Sequence, residues 1–321
     1  MVRSIEDEVI KMRAELEEAD DKALRARNVG DRDKWILWLR ESQQLREKML
    51  QLMEEQVAAQ PGAYLRASPQ PAMQKLWDQL QAVQQLTKTG IAHFLDLGSD
   101  AQFSDRVPHG RLLVPECYVG LSKELHDYLM GPGHIFIVVG SPGIGKGLFL
   151  CYLMWELARL KRTFIYEKRD AETLVLFTPT GVFEGPLTAF RAELDDAQTW
   201  YLVDGHMPMV VKAKTVLVTP PDWDVWKDTI KRADCIWRYM PTWDPEEIET
   251  ARQCIFNSQP KTEVDDRLKR WGGVPLYVLQ RTDPANQAML EDALNSCRLS
   301  NLVRCMTDLS HASGSTHMLL H

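Results

Sequence analysis

The chain has 321 residues, 45% of them hydrophobic, and a formal net charge of −7, which is enough apolar material for a sizeable core and enough length for two folded units. The acidic balance gives no general attraction for nucleic acid or anionic membranes, so neither is an expected partner. Six scattered cysteines (Cys117, Cys151, Cys235, Cys254, Cys297, Cys305) form no C-x-x-C pair and no metal-ligand spacing, so they read as free thiols of a reducing compartment.

The first residues mix acids and bases and do not read as a signal peptide, and no apolar run reaches membrane-spanning length; the expected location is intracellular. From Ile5 to about Gln60 the sequence is charge-rich and free of proline, with one break at Asn28-Val29-Gly30-Asp31. Ile5, Val9, Met12 and Leu16 recur at helical spacing, as do Trp35, Trp38, Leu39, Leu45, Met49 and Leu52, which predicts two helices with apolar stripes. A helical hairpin or coiled coil would cover both stripes, making self-association or a protein partner the expected use of this arm.

Proline and small residues between Gln60 and Pro71 mark a linker. Met73, Leu76, Trp77, Leu80, Val83 and Leu86 then describe an amphipathic helix, followed by a polar loop around 97–110. From Leu112 on, short apolar runs (135–139, 163–166, 174–177, 200–203, 216–218, 235–239) alternate with helix-like stretches, the pattern of a parallel sheet covered on both faces. The expected fold is α/β, a P-loop NTPase-type parallel sheet with flanking helices behind an N-terminal helical hairpin or coiled coil. The expected division is 1–60 for the hairpin, 61–110 for linker and amphipathic helix, 111–283 for the nucleotide domain, and 284–321 for a helical extension and tail.

Gly140-Ser141-Pro142-Gly143-Ile144-Gly145-Lys146-Gly147 carries the main chemical signal. Glycines let successive N–H groups curl around an anion, the lysine reaches the β- and γ-phosphates, and a following helix points its N-terminus at the charge. G-x-x-x-x-G-K alone arises by chance in roughly one chain of this length in ten. Its context is more specific: His134 to Val139 reads as a buried strand, and Leu148, Phe149, Cys151, Tyr152, Met154, Trp155 and Leu157 as a mostly buried helix. This Walker A-like loop predicts binding of ATP or another nucleoside triphosphate. Gly147 stands where a Ser or Thr hydroxyl normally ligates Mg²⁺, so slow hydrolysis is expected.

Asp204, after the apolar run Thr199 to Val203, is the candidate Mg²⁺ ligand and catalytic carboxylate; Asp204-Gly205 also reads as a hairpin turn. Gly205 offers no glutamate to orient water. Thr219, at the end of the next strand, reads either as a γ-phosphate sensor or as an ordinary cap. Asp244 and Pro245 read as the N-cap and first residue of a helix. His311, His317 and His321 allow a metal reading or a frayed tail.

GSPGIGKG, TWYLVDG, YMPTWDPEEIETAR and RLKRWGGVPLYVL occur in that order. Over about residues 110 to 310 the chain resembles the P-loop domain of the Crinkler and retrotransposon-hot-spot proteins. The resemblance implies an ATPase-type domain with Lys146 and Asp204 at the phosphate and metal motifs, and a structural or sensing role for Arg270 to Pro275. It also implies effector-like biology, in which many members act in the nucleus of a host cell. Effector-type members often add a nuclease-like domain, which this chain, ending at His321, is expected to lack. Its alternative function is a catalytically weak nucleotide-binding protein that acts through its N-terminal helices.

Overall fold

The computed structural model describes residues 31–59, 71–98, 110–169, 171–221 and 229–296, most of 11–26, and residues 68, 69 and 226. Contacts divide the chain into two units, Met1–Arg66 and Ala67–His321. The linker residues 60–67, the histidines of the C-terminal tail, and Cys297 and Cys305 lie outside the described residues.

In the first unit, helical residues within 11–26 precede a helix over Arg32–Ala59. Asp31 accepts a hydrogen bond from the Lys34 backbone N–H at 3.2 Å, satisfying one of the unpaired donors of the first turn. Met12, Ala19 and Ala23 are buried, and their spacing of seven and four puts them on one helix face. The Ser42 hydroxyl donates to Asp20, and the Lys22 ammonium lies 4.5 Å from the Trp38 ring centroid, so the two helical stretches touch.

The second unit is built on an eight-stranded sheet. Its strands are β1 (Ser68–Pro69), β5 (Ile135–Val139), β6 (Phe164–Glu167), β7 (Leu174–Thr178), β8 (Gly181–Gly185), β9 (Trp200–Asp204), β10 (Lys214–Thr219) and β11 (Cys235–Tyr239), in the order β1-β8-β7-β6-β9-β10-β5-β11. A separate antiparallel sheet joins β2 (Thr87–Thr89), β3 (Ala92–Asp96) and β4 (Arg111–Val114). Strands β6, β9, β10, β5 and β11 are parallel, as the continuous apolar runs predict. The expectation of a wholly parallel sheet fails at 174–178. Only Pro179 and Thr180 separate β7 from β8, and the Thr178 hydroxyl accepts from Gly181 N–H at 3.1 Å, so the chain turns back as a hairpin.

Both faces of the sheet are covered. Along β5, Phe136 and Val138 enter one core cluster while Ile135, Ile137 and Val139 enter another. The first cluster holds the helix Lys146–Arg159 and the amphipathic helix Pro71–Ala82. Trp77 from the latter meets Phe164 and Phe177 edge-on at 5.6 and 5.5 Å, while those two rings stack at 4.5 Å.

The connections leaving neighbouring strands take opposite faces. The helix after β5 packs in the first cluster, whereas Trp226 and Ile230, after β10, pack in the second. The carboxyl ends of β5 and β10 therefore form a switch point of the kind at which open α/β sheets bind ligands.

Candidate functional site at the glycine loop

Gly140 to Gly147 leave β5 at this switch point and enter the helix Lys146–Arg159. Gly143 and Gly145 have φ of +90° and +111°, a region costly for any residue with a Cβ. Neighbouring groups also require the missing atoms. A Cβ on Gly145 would stand 2.4 Å from the Tyr118 hydroxyl oxygen, and one on Gly143 would stand 2.8 Å from Leu276 Cβ. Gly145 is the helix N-cap, so the unpaired N–H groups of the first turn and the positive end of the dipole open onto the loop. Backbone donors converging in this way suit an anion.

Lys146 is buried, and its Nζ donates to the carbonyls of Gly140 at 2.5 Å and Ser141 at 2.9 Å. The ammonium is thus held against the first two residues of its own loop. Gly147, the second residue of the helix, contributes no hydroxyl.

Three residues distant in sequence pack on the loop. The Tyr118 hydroxyl donates to the Gly145 carbonyl at 2.7 Å, and burial pushes this phenol well above its usual pKa, keeping it a donor. Leu276 N–H donates to the Gly143 carbonyl at 3.3 Å at the start of a single π-helical turn, Leu276–Gln280. Trp243 N–H donates to the Gly273 carbonyl at 2.8 Å, and its indole Nε1 lies 3.6 Å from the position of a Cβ on Gly145. That indole N–H is buried with no hydrogen-bond partner among the described residues. The Arg270–Pro275 segment therefore leads directly to the residue that packs on the loop.

Asp204 is the last residue of β9, which runs parallel to both β6 and β10, so Asp204-Gly205 is not a hairpin turn. Gly205 instead bends away with φ of +83°; its N–H donates to the Val218 carbonyl at 2.7 Å and its carbonyl accepts from Arg169 Nε at 3.0 Å. Thr219 ends β10, and its carbonyl accepts from Gly140 N–H at 3.1 Å. Its hydroxyl is buried without a partner among the described residues, so it caps none of the described backbone. The loop, Thr219 and Asp204 thus follow one another along a single sheet edge, on β5, β10 and β9.

Thr219 Oγ1 and Trp243 Nε1, both buried and without a hydrogen-bond partner among the described residues, belong to residues that touch or adjoin this loop. A buried donor without a partner loses the hydrogen bonds it had in water, and a polar ligand bound against the loop would restore them. The residues present therefore fit a phosphate-bearing ligand. Among the described residues no group of three or more His, Cys, Asp or Glu is placed to hold a metal ion. A Mg²⁺ here would take most of its ligands from phosphate oxygens and water.

No family model matches the chain. Over 242 residues, 70% of its length, it is 26% identical to Crinkler effector protein 15 of Phytophthora infestans. The chain resembles Crinkler effectors. Crinkler effector protein 16 of the same organism is 27% identical over 226 residues, 64% of the chain. The two similarities support a relation to the Crinkler family, and the matched regions cover 38% and 35% of these relatives, little more than a third of each. No helix among the described residues is long and apolar enough to cross a membrane.

Sequence reasoning missed Tyr118, Trp243 and Leu276. Trp243 and Leu276 lie within the quoted YMPTWDPEEIETAR and RLKRWGGVPLYVL segments, but nothing in the sequence assigned either of them to the loop, and Tyr118 lies in none of the quoted motifs.

Proposed function

We propose that the second unit binds a nucleoside triphosphate, ATP being the first candidate, with its phosphates in the Gly140–Gly147 loop; Asp204 would help hold the accompanying Mg²⁺ ion, which would neutralise phosphate charge. The observation carrying this reading is the glycine loop itself. It has two left-handed glycines, lies at the switch point of a parallel sheet, and feeds a buried helix through its N-terminus. Backbone N–H groups cradle the phosphate oxygens, and Lys146 trades its two carbonyl partners for the β- and γ-phosphates. Thr219, on the strand between loop and carboxylate, offers its hydroxyl to the γ-phosphate.

The domain is of the type found in Crinkler and retrotransposon-hot-spot proteins and works as a slow NTPase. Gly147 removes the usual hydroxyl ligand of the metal, and Gly205 removes a water-orienting carboxylate beside Asp204. A chain that binds nucleotide and barely turns it over would act through its N-terminal helices, as a self-associating or partner-binding protein inside a host cell.

Calorimetric titration of the full chain with ATP, with and without Mg²⁺, tests the reading. Lys146→Ala is expected to lose at least about tenfold in ATP affinity, since a charged hydrogen-bond donor contributes about 1.5–3 kcal/mol. Its circular dichroism should match the parent's. Equal affinity in parent and variant, or no binding by the parent, refutes the proposal.

A further inference from the structure

Gly205 leaves the end of β9 without the side chain that would position an attacking water, and the neighbouring strand places a carboxylate on the same face. Along β9, Trp200 and Leu202 enter the first core cluster, while Tyr201 and Val203 enter the second. By strand alternation, the position after Asp204 falls on the second face. Glu167 ends β6, pairs in register with Val203, and shares the parity of Ile165, which also packs on the second face. Its backbone thus lies one strand beyond Asp204, a spacing of about 4.8 Å.

The Glu167 carboxylate is held at both oxygens. The Tyr201 hydroxyl donates to Oε2, and His206 Nε2 lies 3.0 Å from Oε1. His206 is fixed in turn by its Nδ1, 3.2 Å from the Asp204 carbonyl, while Arg169 grips the intervening Gly205 carbonyl. These contacts tie Glu167 to the turn that carries Asp204. Burial and the neighbouring carboxylate keep Tyr201 protonated, so its hydroxyl stays a donor. A carboxylate offers about four lone-pair directions, so two donors orient the group and leave acceptor capacity for a water.

We infer that Glu167 is the water-activating carboxylate of this site, with Tyr201 and His206 as its positioning residues; this rests on the nucleotide-binding reading above. The water oxygen attacks the γ-phosphorus and forms the new P–O bond. The bond from that phosphorus to the bridging oxygen breaks, the diphosphate leaves with the electron pair, and Glu167 accepts the water proton before releasing it to solvent. The mechanism needs no oxidant, reductant or further reactant.

The test compares the full-length parent with Glu167→Gln, Glu167→Asp and His206→Ala in Mg-ATP binding, single-turnover hydrolysis and retention of bound radiolabelled ATP. Glu167→Gln is expected to bind Mg-ATP within about threefold of the parent and to hydrolyse it at least ~100-fold more slowly, the typical loss of a general base. It should also retain ATP where the parent retains ADP. His206→Ala should lower kcat with KM little changed, and Glu167→Asp, which keeps the carboxylate on a shorter arm, should retain more turnover than Glu167→Gln. Thermal melting checks that each variant is folded; if Glu167→Gln is not, the Asp and His variants carry the comparison. Turnover by folded Glu167→Gln within about threefold of the parent overturns the inference, as does a parent that binds Mg-ATP and never cleaves it. In both cases nucleotide binding itself stands. A parent that binds no nucleotide overturns both this inference and the reading beneath it.

Discussion

Gly145 and Tyr118 should be energetically coupled, and the size of the coupling follows from their geometry. Gly145→Ala forces a Cβ into a backbone with φ of +111° and to 2.4 Å from the Tyr118 hydroxyl oxygen. The backbone strain costs about 1–3 kcal/mol, and overpacking against a fully buried ring costs about 1–3 kcal/mol more. Tyr118→Phe removes the hydroxyl. The Gly145 carbonyl keeps its bond from Phe149 N–H at 2.9 Å, so the phenylalanine variant should lose only about 1 kcal/mol. In the double variant the clash disappears while the strain remains, making it more stable than the sum of the single changes by about 1–3 kcal/mol. Urea unfolding of parent, both single variants and the double variant, followed by tryptophan fluorescence, measures the cycle. Additivity within about 0.5 kcal/mol would mean that the hydroxyl does not limit the space at Gly145, refuting the packing argument.

Trp243→Phe keeps an aromatic ring and deletes the unpartnered indole N–H. It should weaken triphosphate binding about tenfold or more while leaving the unliganded melting temperature near the parent's; lost stability with unchanged affinity would make Trp243 a core residue only. Gly147→Ser should tighten Mg-ATP binding relative to metal-free ATP, and Asp204→Asn should do the reverse, both read by paired titrations with and without Mg²⁺; equal metal dependence in all three proteins would place the metal elsewhere. Burial pushes the Cys117 and Cys151 thiols up to about 12, so at pH 8 only about one molecule in ten thousand carries either thiolate. Both should resist a thiol reagent in the native protein and react after denaturation, as peptide mass mapping would record.

The legible parts of the molecule were those written in local pattern. Ile135 to Val139 has no polar residue and is a buried central strand; Leu148 to Leu157 alternates as a helix buried on most sides. Asp244 and Pro245 announced a helix start, and the structure adds the reciprocal bond, from the Asp244 N–H to the Glu247 carboxylate, that completes a capping box. Strand β8 escaped notice because Gly181 and Gly185 bound it and Glu184 interrupts its apolar character. Two readings of Asp204-Gly205 stayed open because a tight turn and a strand-end carboxylate use the same residues; parallel pairing with β10 distinguishes them. The clasp on the loop and the Glu167–Tyr201–His206 contacts join residues from separate elements, and no periodicity in the chain encodes such meetings.

The strand order has a consequence for how the chain is made. β5 hydrogen-bonds only to β10 and β11 within the sheet, although it is synthesised before β6 to β9. Until Thr219 has emerged, this wholly apolar strand has no lateral neighbour and the glycine loop has no Thr219 carbonyl to anchor it; the strand's second neighbour comes only with Tyr239. Long-range pairing of this kind is slow and leaves unpaired edges exposed during folding. A nascent chain stalled before residue 214 should therefore be prone to aggregation, and the loop should take shape only near the end of synthesis of the sheet.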